Sequence, residues 1–193
     1  MARMTPLETL ASWLEEARAA GTREPEAMAL ATVGADGRPS CRFVLCRGID
    51  DRGVRFFTNY DSRKGRELAG CAHAAGTFHW ETTRHQVRVE GDIEVLAASE
   101  SDAYFHARAR GSQLAASVSP QSAVIDGLGP LREQMRELDA SLHGAQVPRP
   151  AHWGGYLLRV SAVELWTNGA DRLHDRVHYR RERDVWTARR LAP

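Results

Sequence analysis

The chain has 193 residues, 42% hydrophobic and 26% charged, and its 26 Lys and Arg against 25 Asp and Glu leave a formal net charge of +1. That length suits one domain with a sizeable core, and the charge balance removes the electrostatic case for nucleic acid or an anionic membrane as a partner. No apolar run approaches a membrane span, the first residues show no secretory signal, and three cysteines without CxxC spacing beside eight His without HExxH predict free thiols, no metal and a cytoplasmic location.

In chain order, Thr5-Pro-Leu-Glu8 is a capping box with proline at the first helical position, followed by Leu7, Leu10, Leu14 and Ala17 at helical spacing. This helix, within residues 1–22, reads as scaffold or lid. Residues 27–33 and 39–47 read as strands joined by a hairpin turn at 34–37. Residues 49–53 connect to a returning strand at 54–58. Asp61 or Ser62 then caps a helix that runs to Cys71. Strands follow at 74–80 and 86–95; in the second, Val87, Val89, Ile93 and Val95 alternate with polar residues, and Gly91 marks a bend or bulge.

A second helix starts at 99–102, Gly111 breaks it, and Ser112 caps the next short one. Leu131, Met135, Leu138 and Leu142 mark a further helix. Residues 153–160, 163–167, 173–179 and 185–189 read as closing strands. The pattern predicts a mainly β, barrel-like sheet with peripheral helices in a single domain, 1–193.

Three clusters carry candidate chemistry. Thr58, Ser62, Arg63 and Lys64 gather hydroxyls, cations and free N–H groups at a helix start, which suits a phosphate. Tyr104 and Arg108, four apart, share a face with Ser112 four further on, which suits a second phosphate or carboxylate. Arg172, His174 and Arg176 alternate on an expected strand and point one way, with Trp166 on the neighbouring strand able to stack on a planar ligand. Gln86, Gln121 and Ser122 are amides and a hydroxyl suited to reading a heterocycle. No GxGxxG, GxSxG or GKS/T motif supports a Rossmann, α/β-hydrolase or P-loop reading.

The segments Arg42-Phe-Val-Leu-Cys-Arg47, Phe57-Thr-Asn-Tyr-Asp-Ser-Arg-Lys64, His85-Gln-Val-Arg-Val-Glu-Gly91, Tyr104-Phe-His-Ala-Arg108, Ser119-Pro-Gln-Ser122, Glu164-Leu-Trp166, Arg172-Leu-His-Asp-Arg176 and the ending Arg190-Leu-Ala-Pro193 occur in order. With these segments the chain resembles the pyridoxine/pyridoxamine 5'-phosphate oxidase family over nearly everything from residue 24 to 193. The resemblance implies an FMN-binding split β-barrel, working as a homodimer with two FMN sites between subunits. It implies that Arg42, Arg63, Lys64 and Ser122 contact the FMN phosphate or ribityl chain, with Thr58 beside them. It adds Phe43, Val44, Leu45, Arg47 and Phe57 to the cofactor-facing set and puts Gln86, Gln121, Trp166 and Arg176 around the flavin. Arg47, Tyr104, Arg108 and Ser112 would hold the substrate phosphate, and Arg172 and His174 would sit over its pyridine ring as the catalytic pair.

The implied reaction is oxidation of pyridoxamine or pyridoxine 5'-phosphate by O2 to pyridoxal 5'-phosphate, with hydrogen peroxide released. The chain departs from the family at Arg47, usually Lys; at Phe57, usually Tyr; and at Ala115-Ala116-Ser117, where Gly-Ala-Trp is usual. Two alternatives stand beside this reading: a related flavin oxidase on another substrate such as a phenazine precursor, and a non-catalytic FMN or pyridoxal-phosphate binding protein.

Overall fold

The structure, a computed structural model, describes residues 4–193. Its opening helix, α1 (Pro6–Ala19), starts at the expected capping box: the Thr5 side chain accepts from the Glu8 N–H and Glu8 reaches back to the Thr5 N–H. Its apolar stripe of Leu7, Leu10, Leu14 and Ala17 packs on the main core.

Among the described residues nine strands make one antiparallel sheet: β1 (Ala27–Val33), β2 (Pro39–Leu45), β3 (Gly48–Asp50), β4 (Gly53–Asn59), β5 (His73–Trp80), β6 (His85–Val95), β7 (Trp153–Thr167), β8 (Asp175–Glu182) and β9 (Val185–Arg190). The order runs β2-β1-β5-β6-β7-β4-β3, with β8 on β7 and β9 on β8. Alternation decides which face is buried: Val87 and Val89 of β6 are fully buried while Arg88 and Glu90 between them are exposed. Met28, Leu30, Val54, Phe56, Phe78, Leu158 and Val163, all at 0% exposure, join them in the core.

Four further α-helices among the described residues flank the sheet: α2 (Arg63–Gly70), which sends Leu68 into this core, α3 (Ala98–Ala107), α4 (Arg110–Val118) and α5 (Gly129–Ser141). A smaller apolar cluster of Phe105, Leu114, Val147 and Trp153 fixes α3 and α4 to the start of β7.

The long strand β7 organises the sheet. One edge pairs with β6 from Tyr156 to Thr167. The other edge is shared: residues 153–159 pair with β4, and residues 162–167 pair with β8. Two closing strands were expected here. They are one because the register shift at Glu90/Gly91 lets the sheet absorb an extra residue, Ser161, without ending the strand. Gly91 is required at that bulge, since a Cβ there would collide with the Arg159 carbonyl.

Three other expectations are corrected. Residues 48–50 are a short strand pairing with β4, not part of a plain connection. Gly111 does not break a helix and Ser112 does not cap one: α3 ends at Ala107 because Arg108 is extended (φ −77°, ψ 154°), and both residues lie in the first turn of α4. The strand expected at 173–179 begins at Asp175, because residues 169–174 form a tight turn.

Candidate active site

At the β4 end of β7, strand, helix and loop converge on one cation. Ser62 caps α2, its side chain accepting from the Gly65 N–H at 3.3 Å. Lys64, one residue inside the helix, donates through Nζ to Thr58 Oγ1 at 3.1 Å, Ser62 Oγ at 3.3 Å and Gln121 Oε1 at 3.0 Å. The Arg63 N–H donates to Ser122 Oγ at 3.1 Å. These bonds tie the 119–122 loop to the α2 N-terminus, so Thr58, Ser62, Arg63, Lys64, Gln121 and Ser122 form one cluster. Burial pushes the Lys64 ammonium down from its ordinary value, and nearby Arg42 pushes the same way against Glu67.

Glu67, one helical turn on, is the anion that organises this end. Its Oε2 accepts from Thr32 Oγ1 at 2.5 Å, Ser40 Oγ at 2.6 Å and Arg42 Nη2 at 3.0 Å, and its Oε1 from Arg63 Nε at 2.8 Å. Desolvation raises its pKa, but these four donors outweigh it and hold the carboxyl at about 2. Arg42 also bonds the Leu30 carbonyl, Thr32 and Ser40. Its terminal nitrogens are therefore occupied, and Nε is the donor left for a ligand. Arg63 keeps both of its terminal nitrogens.

Beside this cluster lies a cleft of about 550 Å³ lined by Leu45, Arg47, Phe57, Thr58, Tyr104, Arg108, Ser112, Gln121 and Trp153 among others. Arg47 reaches it because β2 ends at Leu45, which removes the conflict between Arg42 and Arg47 being five apart on one strand. Tyr104 and Arg108 meet although Arg108 is no longer helical: the chain turns at Arg108, and buried Gln113 holds the corner by donating to the Arg108 carbonyl at 2.7 Å. Tyr104 stacks on Phe57 at 4.0 Å between centroids, and the Arg108 guanidinium lies 4.7 Å from the Trp153 ring centre.

Among the described residues, Arg108 Nη1 is buried without a hydrogen-bond partner. Burial pushes this guanidinium down from its ordinary value; Tyr104 opposes the shift and Arg47 adds to it. A buried, unpaired guanidinium edge next to a second arginine is a site in want of an anion.

The other end of β7 carries the second group. Gln86, Trp166 and Arg176 are direct cross-strand neighbours on β6, β7 and β8 and share one sheet face. His174 packs on Trp166 with centroids 4.6 Å apart, and its Nδ1 accepts from the Gly169 N–H at 3.3 Å. Arg172 and His174 do not alternate with Arg176 on a strand as expected. Arg172 closes a single 3₁₀ turn, Ala170–Arg172, in which Asp171 (φ 52°) and Arg172 (φ 63°) are both left-handed. Two adjacent non-glycine residues in that region store strain, and the turn presents Arg172 to solvent beyond the strand end. Gly169 permits the turn, since a Cβ there would strike the Leu173 carbonyl.

The remaining predicted residues fall in between. Phe43 and Leu45 are exposed on β2, whereas the Val44 side chain points into the core, leaving only its backbone for a ligand. Sequence reasoning missed Trp153, Gln113 and Glu67. Trp153 follows a proline-rich loop and carries no pattern of its own. Gln113 acts on the Arg108 main-chain carbonyl and Glu67 on other side chains, which spacing does not reveal.

Known proteins bear on this geometry. A family profile described as "Pyridoxamine 5'-phosphate oxidase" matches residues 14–138, and one described as "Pyridoxine 5'-phosphate oxidase C-terminal dimerisation region" matches residues 153–193. The chain belongs to the pyridoxamine 5'-phosphate oxidase family. Pyridoxine/pyridoxamine 5'-phosphate oxidases of Salinibacter ruber and Cupriavidus pinatubonensis are 48% and 49% identical to it, each over 97% of this chain and 89% of the relative. Among solved structures, PhzG from Burkholderia lata, in complex with tetrahydrophenazine-1-carboxylic acid, matches with a TM-score of 0.93 and 38% identity over 99% of this chain and 94% of that one. A pyridoxamine 5'-phosphate oxidase-related, FMN-binding protein from Nostoc punctiforme matches over the full length of both chains with a TM-score of 0.79 at 18% identity, a likeness of fold.

The split-barrel fold expected from the resemblance is thus the fold observed, and FMN is the cofactor that goes with the family. The donor set fits it: cations and hydroxyls at α2 suit its phosphate, and a Trp flanked by an amide and a guanidinium suits a flat heterocycle with a polar edge.

Proposed function

We propose that the protein oxidises pyridoxamine 5'-phosphate or pyridoxine 5'-phosphate to pyridoxal 5'-phosphate, with O2 as final acceptor and hydrogen peroxide as by-product. The observation that carries this reading is the cleft where Arg47, Tyr104, Arg108 and Ser112 meet around an unpartnered guanidinium edge. A phosphate dianion supplies the missing acceptors and reverses the unfavourable crowding of Arg47 and Arg108.

We further propose that each active site is shared between two protomers. Gly154, paired with Thr58, and Trp166, paired with Gln86 and Arg176, stand twelve residues apart on β7. At about 3.3 Å per residue that is roughly 40 Å of strand, longer than a mononucleotide can bridge. The match of residues 153–193 to a dimerisation region and the exposure of Phe43 (74%) and Leu173 (72%) support a partner that brings its β8 end to this β4 end.

In that arrangement Arg63, Lys64, Thr58 and Ser122 hold the FMN phosphate, and Gln86, Trp166 and Arg176 hold the ring. Bound FMN supplies an acceptor for the hydride equivalent lost from the substrate's C4' carbon. Arg47, Tyr104, Arg108 and Ser112 anchor the substrate phosphate, and this remote binding energy holds C4' against the ring. Arg172 covers the pyridine face from its strained turn, and His174, steadied by Trp166 and Gly169, hydrogen-bonds the ring substituents.

The test is aerobic incubation of the FMN-loaded protein with pyridoxamine 5'-phosphate, following aldehyde and peroxide; absence of both refutes the reading. A second reading, oxidation of a carboxylate-bearing polycyclic substrate, draws on the likeness to PhzG and on a clamp that accepts any anion. Equal turnover of pyridoxamine with and without its phosphate favours that second reading.

A further inference from the structure

The face that carries Gln86, Trp166 and Arg176 has a second row two residues along. There Arg88 of β6 pairs with Glu164 of β7, and Glu164 with His178 of β8. Glu164 is 5% exposed, and a carboxylate that deep persists only with cationic partners. It has two. Oε2 accepts from Arg88 Nη1 at 3.1 Å, and Oε1 accepts from Arg176 Nε at 2.8 Å. Arg176 is tied again at Nη1, which donates to the Ala192 carbonyl at 2.9 Å, while the Leu191 N–H donates to the Arg176 carbonyl at 2.9 Å. With Nε and one Nη1 proton committed, the Nη2 edge is what Arg176 can offer a ligand. Arg88 faces outward and shares its other end with exposed Glu90.

We propose that Glu164, with the Ala192 carbonyl, positions Arg176, and that Glu164 also sets the charge Arg176 presents to the flavin. This rests on Arg176 being a flavin contact. Reduction adds negative charge to the ring, so a guanidinium at its edge favours the reduced form, and the carboxylate behind it damps that pull. Glu164 touches no substrate atom; its effect passes through Arg176.

The experiment compares FMN-loaded parent, Glu164→Gln, Glu164→Asp and Glu164→Ala for FMN dissociation constant, by flavin fluorescence, and for midpoint potential. The amide of Glu164→Gln still accepts from Arg176 Nε but carries no charge, so FMN affinity stays within about threefold and the potential rises. Glu164→Ala loses the acceptor and binds FMN about tenfold more weakly. Glu164→Asp restores the charge and returns the potential towards the parent value. Arg88→Gln supplies an independent test that leaves the Arg176 tethers alone: with one cation fewer on Glu164, more of its charge falls on Arg176 and the potential drops. An unchanged potential in folded Glu164→Gln or in Arg88→Gln, or parent-like FMN affinity in Glu164→Ala, overturns the proposal. A parent that binds no FMN refutes instead the reading on which it rests.

Discussion

The two ends of β7 are built in different ways. The β4 end is a concavity drawn from β2, β4, α2, α3, α4 and the 119–122 loop, with Thr58, Ser62 and Lys64 buried and Arg108 Nη1 sealed from solvent. The β8 end is a platform: three cross-strand neighbours on one sheet face and a strained turn projecting beyond it. A concavity surrounds an anion by itself, because charge-assisted bonds need donors from several directions. A platform offers one surface to a flat ring and needs something opposite to complete the stack. On the proposed function the first end anchors and the second aligns, and the difference sorts the expected effects of substitution.

The largest effect falls on anchoring. Replacing Arg63 and Lys64 together by Ala removes two charge-assisted contacts of roughly 1.5–3 kcal/mol each, so the FMN dissociation constant should rise by about 10²–10⁴. Retained flavin colour after dialysis would break the assignment of this end to the cofactor phosphate. Next comes alignment. Arg172→Ala should lower kcat by about 10² with FMN content unchanged, since a misplacement near 1 Å is enough for that loss; anaerobic flavin reduction at the parent's rate contradicts it, and His174→Ala should be milder. Arg108→Ala should raise KM for pyridoxamine 5'-phosphate roughly 10–100-fold while kcat changes less, as the loss of one charged hydrogen-bond partner implies.

The smallest effect is on stability. Glu67 titrates at about 2 in place of an ordinary 4.5, so the native state binds fewer protons than the unfolded chain between those values. Its contribution is full above about pH 4.5 and fades as the pH falls towards 2. The Tm advantage of the parent over Glu67→Gln should therefore shrink by roughly 4–8 °C between about pH 6 and about pH 3; an advantage independent of pH would mean that folding does not lower the Glu67 pKa.

What the sequence disclosed follows locality rather than this division. Ser62 before α2, the Thr5 box and the strand at 27–33 were legible because capping and strand patterning needed only neighbours in sequence. The corner at Arg108 was not, because tertiary contacts of Gln113 end the helix where i,i+4 spacing continues it. The end of this turn, residues 172–174, was read as strand because Leu173 and Val177 fit a period of two, while the left-handed Asp171 and Arg172 leave no mark in residue type. That Trp153 closes the cleft, or that Glu67 and Glu164 hold arginines in place, depends largely on pairings distant in sequence, such as Arg42–Glu67, 25 residues apart, and Arg88–Glu164, 76 apart.

The claim that anchor and platform of one site come from different protomers is tested most directly by complementation. Arg63→Ala/Lys64→Ala chains and Trp166→Ala/Arg172→Ala chains, each inactive alone, are co-expressed in equal amounts with excess FMN and assayed with pyridoxamine 5'-phosphate. Random pairing makes half the dimers mixed, and each mixed dimer rebuilds one intact site of two, so about a quarter of the parent activity should return. If both halves of a site belong to one chain, every site keeps a defect, and the mixture stays as inactive as its components.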